Sequence, residues 1–307
     1  MSVATVTSSP SLYGFQPYIT TAEYRQAPTG VTTANLVPTN PSATEAELFN
    51  GIMRASSWVD VICGQSLGAR VDTYSQELTL GRDGMLRAYP RFSPIQAVTA
   101  FSYGTQPNNY TALSDLSQIV IDAREFTVPT LSGNWSSAGP LQFSPAPRVG
   151  GRMRVLYTYV PGFTNTTLAA TATAGATSIS VKDGTGAVPA LTQLNIYDGA
   201  QSEVVTVAST YVFGSATLPL VAPLQYPHSQ AGIAVSALPH SVKLATILLT
   251  STIIQTRGAV ALIAPTVSGL AGRYTQSGST RSKGNSTPVD ANVELACTLL
   301  ADFARNV

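Results

Sequence analysis

An abrupt change in the character of the sequence near its middle most constrains the fold. Residues 166 to 238 contain no arginine, one lysine and three acidic residues, and short β-branched runs alternate there with turn residues. The runs are TSISV, LNIYD, EVVTVAS, ATLPL and GIAVSAL. This pattern is typical of five or six strands in a small barrel or sandwich. We therefore predict that residues 166 to 238, called the β unit below, form an inserted all-β domain.

The segment from about residue 42 to residue 64, well before the β unit, has the periodicity of a helix. Ser42 and Glu45 fit an S-x-x-E capping box, which predicts a helix beginning there. Apolar residues then recur at steps of three and four and predict one buried face: Leu48, Ile52, Ala55, Val59 and Ile62. Gly64 predicts the end of this helix, because glycine tolerates the left-handed conformation of a C-terminal cap.

Alternation with a period of two replaces helical periodicity after about Arg70. Arg82, Asp83 and Gly84 predict the turn of a hairpin between QELTL and MLRAY. Residues 129 to 150, rich in Pro, Gly and Ser, predict a long surface loop. Four further strands are predicted at IQAVTAFSYG after Pro94, at 118–121, at 125–128 and at 152–159.

Helical periodicity returns at His240, directly after the β unit. Its predicted apolar face consists of Leu244, Ile247, Leu248, Ser251, Ile254 and Leu262. A last helix is predicted from the capping box Thr287 to Asp290, with Pro288 at its first position. Its predicted core face consists of Val293, Ala296, Leu299, Leu300 and Phe303. The polar loop between the two helices, residues 273 to 287, carries three basic residues and no acid.

These elements predict an α+β protein: a small helical bundle core with β-hairpins, plus the inserted all-β barrel or sandwich. Residues 1 to 40 are predicted to be an extended N-terminal arm, with one short helix at Thr20 to Gln26. The core is predicted in two parts, residues 41 to 165 and residues 239 to 307, on either side of the β unit at 166 to 238.

The composition argues for burial against partners and against several kinds of site. Charged residues make up only 11% of the chain, against about 25% in an average soluble protein. Uncharged surface of this kind is usually either buried against partner proteins or part of a weakly solvated β surface. The net charge of +1 does not indicate that the protein as a whole binds nucleic acid electrostatically. Cys63 and Cys297 lie in apolar helical patterns, which predicts buried free thiols, and two cysteines with two histidines supply no zinc site.

Neither a signal peptide nor a membrane span is predicted. The N-terminal sequence MSVATVTSSPSLYGF lacks the basic and apolar regions of a secretion signal. Residues 244 to 264 are apolar, but they include Gln255, Arg257 and five Ser or Thr residues, without an aromatic belt. A buried helix is therefore favoured over a transmembrane helix.

The strongest enzyme-like motif is the G-x-S-x-G formed by residues 64 to 68, with Ser66 at its centre. A nucleophile elbow requires a strand before the serine and a helix after it, and here that order is reversed. We interpret the motif as a helix cap and loop. His240 is interpreted as a capping or linker residue, and His228 as part of a solvated turn. Because no phosphate-binding, dinucleotide or paired-carboxylate motif is present, we predict no enzyme activity, no catalytic residue, no metal and no cofactor.

Basic residues supply the only candidate contact site. Arg273, Arg281 and Lys283 could face DNA in a channel, because phosphate contact needs no sequence motif. Alternatively, the loop that carries them is a flexible, solvated segment that docks on a neighbouring protein. The same two interpretations apply to Arg82, Arg87 and Arg91 near the predicted hairpin.

The order of the elements resembles the head-to-tail adaptor (head–tail connector) family of long-tailed bacteriophages. The matching segments are YITTAEYR, ATEAELFNGIMRASSWVDVICG, LRAYPRFSPIQAVTAFSYG, RMRVLYTYVPGF and LPHSVKLATILL. In that family the last two elements usually follow each other directly. Here the β unit separates them, and this departure marks it as an insertion.

The resemblance implies a structural virion protein of the neck, at the head–tail interface, assembled in the host cytoplasm. Family members form a homo-oligomeric ring, commonly a dodecamer, that binds the portal protein on one side. A stopper or tail-completion protein binds on the other side, and packaged DNA passes through the lumen, with no membrane contact. Two alternatives from other classes stay open: a capsid decoration or glycan-binding module that uses the β unit, and a serine hydrolase that uses Ser66.

Overall fold

The computed structural model describes residues 17–34, 36–37, 40–81, 85–106, 109–129, 152–182, 188–229, 232–256 and 288–304. Its described helices are α1 (Thr21–Gln26), α2 (Pro41–Cys63), α3 (His240–Thr256) and α4 (Pro288–Leu300). The protein combines these helices with antiparallel sheets, so the predicted α+β class is confirmed.

Two antiparallel sheets precede the β unit and share one core. The larger contains β1 (Asp72–Thr79), β3 (Ile95–Gln106), β4 (Asn109–Ala112) and β7 (Arg152–Pro161), in the order β1-β7-β3-β4. The smaller contains β2 (Met85–Ala88), β5 (Val120–Ile121) and β6 (Phe126–Pro129), in the order β2-β6-β5. The ring of Phe126 meets those of Phe101 and Tyr157 edge to face, with centroids 6.2 and 4.9 Å away. Aromatic packing of this kind joins the two sheets.

The predicted hairpin around Arg82, Asp83 and Gly84 is wrong, because its two strands belong to different sheets. β1 pairs along its whole length with β7, whereas β2 pairs with β6. The two strands keep one link near the turn, where the N–H of Gly81 donates to the carbonyl of Met85 at 3.0 Å. Residues 82 to 84 themselves lie outside the described residues. A turn signal predicts that the chain reverses, but distant partners decide which strands pair.

The described residues of the β unit form six short strands, the first of which begins one residue earlier, at Asn165. They are β8 (Asn165–Thr167), β9 (Ser178–Ser180), β10 (Gln193–Tyr197), β11 (Glu203–Thr206), β12 (Thr217–Pro219) and β13 (Ala234–Ser236). Four of them form a sheet in the order β11-β10-β13-β8, and β12 pairs with β9. They enclose an apolar cluster of their own. β8 and β13 are neighbours, with Asn165 paired to Ser236, so the chain enters and leaves the β unit at adjacent points.

The helices α2, α3 and α4 pack around a common core, as the three apolar faces predict. Leu48, Ile52, Ala55 and Val59 of α2 are fully buried, which confirms the predicted face. Val293, Ala296 and Leu300 of α4 are buried against the other two helices. Cys63 and Cys297 are buried, free thiols in this core, as predicted.

The predicted apolar face of α3 needs correction. Ser251 and Ile254 are buried as predicted, but Leu244 is 36% exposed, and Ile247 and Leu248 are only half-buried. The other buried apolar residues are Val242, Ala245 and Leu249, none of which was predicted. Thr246 and Thr250 are buried as well, and each hydroxyl donates at 2.8 Å to the carbonyl four residues earlier. Because each hydroxyl forms its hydrogen bond within the helix, threonine can occupy a buried position there. The spacing of apolar residues alone therefore does not identify the buried face of α3. Leu262 lies outside the described residues.

The helix ends are set partly by residues other than those predicted. The side chain of Asn40 accepts from the N–H of Ala43 at 3.2 Å, and Pro41 is the first residue of α2. The predicted capping box of Ser42 and Glu45 is therefore wrong, and Glu45 pairs with Arg25 of α1 instead. At the other end, Gly64 adopts φ 65°, ψ 14°, as predicted.

The described part of the predicted arm is packed on the rest of the protein. Thr20 and Glu23 form a capping box at the start of α1, which confirms the short helix expected there. The side chains of Tyr18, Ile19 and Tyr24 are each only 1% exposed. The hydroxyls of Tyr24 and Ser251 in α3 are 3.0 Å apart, which fixes α1 on the helical core.

Candidate functional site

The loop that contains Ser66 has a structural role. α2 leads into this loop, so a helix rather than a strand precedes the serine. The hydroxyl of Tyr18 donates to Asp60 and accepts from the N–H groups of Leu67 at 2.9 Å and Gly68 at 3.2 Å. Burial, followed by the charge of Asp60, raises the pKa of Tyr18, so the phenol stays protonated. Ser66 lies beside this same pair and opposes the rise in the pKa of both groups, so its surroundings are a network that closes the loop.

His228 is fully buried, so its interpretation as part of a solvated turn is wrong. Its Nδ1 lies 2.9 Å from Asp198 Oδ2, and its Nε2 lies 2.9 Å from Glu203 Oε1. Glu203 also accepts the N–H groups of Gln225 at 2.9 Å and Tyr226 at 3.1 Å. These contacts tie the β10–β11 region to the segment before β13.

The carboxyl of Glu203 is held ionised by this arrangement. Burial by itself raises its pKa, but the N–H groups of Gln225 and Tyr226 and the imidazole of His228 outweigh it. The pKa is therefore lowered from its ordinary value of 4.5. One signal in the sequence pointed to this cluster: it uses two of the three acidic residues and the only histidine of a β unit almost free of charge. Among the described residues, no group of three His, Cys, Asp or Glu side chains could hold a metal ion.

We expect His228→Phe to destabilise the β unit by about 3 kcal/mol, because Asp198 and Glu203 lose the group between them. Since the pKa of Glu203 is lowered in the folded state, its stabilising contribution is complete above 4.5 and is lost as the pH falls through the lowered value. The difference between wild type and variant should therefore stay constant from neutral pH to 4.5 and shrink below it. Thermal unfolding followed by circular dichroism measures it.

His240→Phe is the matched control for this prediction, because His240 is exposed at the start of α3. It should change stability little at either pH. A difference for His228→Phe that stays constant down to the acid end would contradict the role given to Glu203.

Lys243 forms a second buried cluster, called the Lys243 junction, with Glu23 of α1 and Tyr197 of β10. Lys243 is 3% exposed, and its ammonium group donates to Glu23 Oε1. The same ammonium lies 3.6 Å from the centroid of the Tyr197 ring, a close cation–π contact. Burial lowers the pKa of Lys243, and the neighbouring charge of Glu23 opposes that shift.

The Lys243 junction joins three elements that are distant in the sequence: α1, α3 and β10. A further hydrogen bond supports it nearby, where the side-chain amide of Asn165 donates to the carbonyl of Pro17 at 2.8 Å. Our reading of the sequence missed this cluster. Its signal was Lys243 itself, the only charged residue in the seventeen residues of α3.

The structure leaves the predicted contact site untested. Arg273, Arg281 and Lys283 lie outside the described residues, as does Arg82. Arg87 lies in β2, and the guanidinium of Arg91 lies 5.1 Å from the centroid of the Phe92 ring. Within the described parts of the chain, no helix is long and apolar enough to span a bilayer.

Compared with known proteins, the chain matches no family model and no curated protein sequence. One similar solved chain belongs to the neck of an empty GTA particle, computed with C6 symmetry. The match covers 97% of this chain and 95% of that chain, at 12% sequence identity and a TM-score of 0.35. So loose a superposition does not show a common fold, and the neck location is a property of that protein.

Proposed function

We propose that this protein is a structural subunit of the neck of a long-tailed phage particle. In this proposal it forms a homo-oligomeric ring between the portal protein and a stopper or tail-completion protein, and DNA passes through the ring. The observation that carries the proposal is the exposure of large apolar side chains in each part of the structure, on a chain with only 11% charged residues. The partners themselves follow from the family resemblance.

The helical part exposes a row of apolar side chains along α2. Phe49 is 44% exposed and Val61 is 64% exposed, and the half-buried Met53 lies between them, four residues after Phe49 and eight residues before Val61. Leu295 of α4 is also exposed. We call Phe49, Met53 and Val61 the α2 row.

Other parts of the molecule expose apolar groups too. Val120 in the smaller sheet and Tyr89, the residue after β2, are exposed. The exposed apolar residues of the β unit are Leu191, Val204, Val212, Phe213, Val221 and Tyr226. A closed ring needs two different surfaces on each subunit, one for each lateral neighbour. Exposed apolar side chains on separate parts of the chain could supply these two surfaces. A symmetric dimer contact would need only one such surface.

We expect the double variant Phe49→Glu, Val61→Glu to prevent assembly without unfolding the subunit. Both side chains are exposed in the single chain, but a buried, unpaired carboxylate would oppose any contact that covers the α2 row. Light scattering coupled to size-exclusion chromatography should show the mass falling to that of one subunit, with unchanged circular dichroism. Ser114→Glu places one such carboxylate on exposed polar surface and should assemble normally. Full assembly of the double variant would exclude the α2 row as an interface.

We further propose the domain division given by the sequence, in which residues 166 to 238 are an insertion into a core made of residues 41 to 165 and 239 to 307. Two observations support it: the β unit has its own apolar cluster, and β8 and β13 bring its ends together. The Lys243 junction then fixes the orientation of the insertion.

Excision tests this division. Joining Asn165 to Pro239 through a short Gly-Ser linker should leave a soluble, helical protein that is less stable than the parent, because Lys243 loses the Tyr197 ring. Denaturant titration measures this loss. Unfolded or insoluble products from several linker lengths would contradict the insertion.

A further inference from the structure

A cleft of about 460 Å³ lies on the side of the helical core that faces the two sheets. The loop after α2, the segment between β2 and β3, the turn between β5 and β6 and the residues after α4 form its walls. The larger apolar residues of its lining are Phe163, Phe303, Pro90 and Pro94. The volume falls in the range of clefts that bind small ligands and peptide side chains.

Direct contacts hold the walls of the cleft in place. The rings of Phe163 and Phe303 meet edge to face, with centroids 6.0 Å apart. The buried side chain of Gln65 bridges two walls, because its Nε2 donates to the carbonyl of Phe303 and its Oε1 accepts from the N–H of Ser93, each at 3.1 Å. The apolar lining is therefore formed before any ligand arrives, which reduces the entropy cost of binding.

Two arginines line the cleft without an acidic partner. Arg91 and Arg124 are both exposed, and among the described residues neither forms an ion pair. Of the described residues that line the cleft, only Asp302 is acidic, and it forms no ion pair with either arginine. The cleft thus combines two phenylalanine rings and two prolines with a net positive lining. Guanidinium groups bind carboxylates through paired hydrogen bonds.

We infer that this cleft binds an acidic peptide segment of a partner protein, with one apolar side chain inside and flanking carboxylates on Arg91 and Arg124. Duplex DNA fits less well, because it offers phosphates on a convex surface and no apolar group that could enter between Phe163 and Phe303. The inference concerns the single subunit and holds whether or not the chain assembles into a ring. It assigns the cleft to protein contact, separately from the candidate basic loop at residues 273 to 287.

A labelled peptide tests this assignment. The probe is a fluorescent pentapeptide with a central benzoylphenylalanine flanked on each side by two glutamates, and the comparison peptide has lysines in place of the glutamates. We expect the acidic probe to bind, and irradiation to attach it to the segments around Phe163 or Phe303. Binding of the double variant Arg91→Glu, Arg124→Glu should be weaker by about tenfold or more. The control Arg54→Glu, Arg152→Glu makes the same charge change elsewhere and should stay within about twofold of wild type.

Each other outcome overturns the assignment. Equal binding of the lysine peptide would show that the arginines do not select for negative charge. Cross-links confined to other segments would show that the peptide binds outside the cleft. If a short DNA duplex displaces the acidic probe and binds more tightly through the same arginines, the cleft is a phosphate site. Thermal unfolding of the Arg91→Glu, Arg124→Glu variant, which changes only exposed side chains, shows whether its fold is intact.

Discussion

Replacing Glu23 by alanine is expected to lower the free energy of unfolding by about 3–5 kcal/mol. The substitution leaves the ammonium group of Lys243 buried, with only the ring of Tyr197 to stabilise its charge. A buried charge that loses its partner costs more than the pair contributed, because the desolvation of the remaining group is no longer compensated. Glu23 also closes the capping box of α1, which adds to the loss.

The substitution Lys243→Met separates these two contributions. On its own it should cost less than Glu23→Ala, because Glu23 keeps the N–H of Thr20 at 2.7 Å as a donor. In the Lys243→Met background, Glu23→Ala should cost only the capping contribution, about 1 kcal/mol. Chemical denaturation of the four proteins in this double-mutant cycle measures the coupling. Equal losses for Glu23→Ala in both backgrounds would show that the ion pair does not couple the arm to α3.

Gly162→Ala is expected to destabilise the protein by about 3 kcal/mol. Gly162 adopts φ 84°, and a Cβ atom there would lie 2.7 Å from the carbonyl oxygen of Leu67 and 2.8 Å from that of Gly68. The Leu67 carbonyl cannot move away freely, because it accepts from the N–H of Phe163 at 2.7 Å. The same substitution would push apart the loop after α2 and the strand end after β7.

Gly214→Ala is a matched control for Gly162→Ala. Gly214 has a similar φ of 89°, but a Cβ atom there would meet nothing within 4 Å. Its substitution should therefore cost only the backbone conformation, about 1 kcal/mol. The midpoint of thermal unfolding compares the two variants. Equal destabilisation would show that φ alone decides the cost and that the close approach at Gly162 is tolerated.

The elements predicted well from the sequence are those whose signal is local. The buried face of α2 follows from a spacing of three and four residues, and Gly64 is needed where the backbone turns left-handed. The strands of the β unit follow from short β-branched runs between turns. The start of α2 was misplaced because Asn40 and Ser42 are both good capping residues, and the adjacent Pro41 favours Asn40.

The features that the sequence did not predict depend on distant partners. β2 pairs with β6 rather than with β1, and no turn signal at residues 82 to 84 contains that information. Lys243 is buried only because Glu23 and Tyr197, from two distant segments, meet it. His228 is buried for the same reason, between Asp198 and Glu203. The sequence shows that charged residues are rare in α3 and in the β unit. It does not show which contacts compensate the burial of Lys243 and His228.

Electron microscopy of the purified full-length protein in negative stain tests the central proposal most directly. If the chain is a ring-forming neck subunit, the images will show closed rings with an open centre wide enough for a DNA duplex. The Phe49→Glu, Val61→Glu variant, prepared alongside, should show single subunits instead. Discrete single subunits of the wild-type protein at every concentration would contradict the proposal.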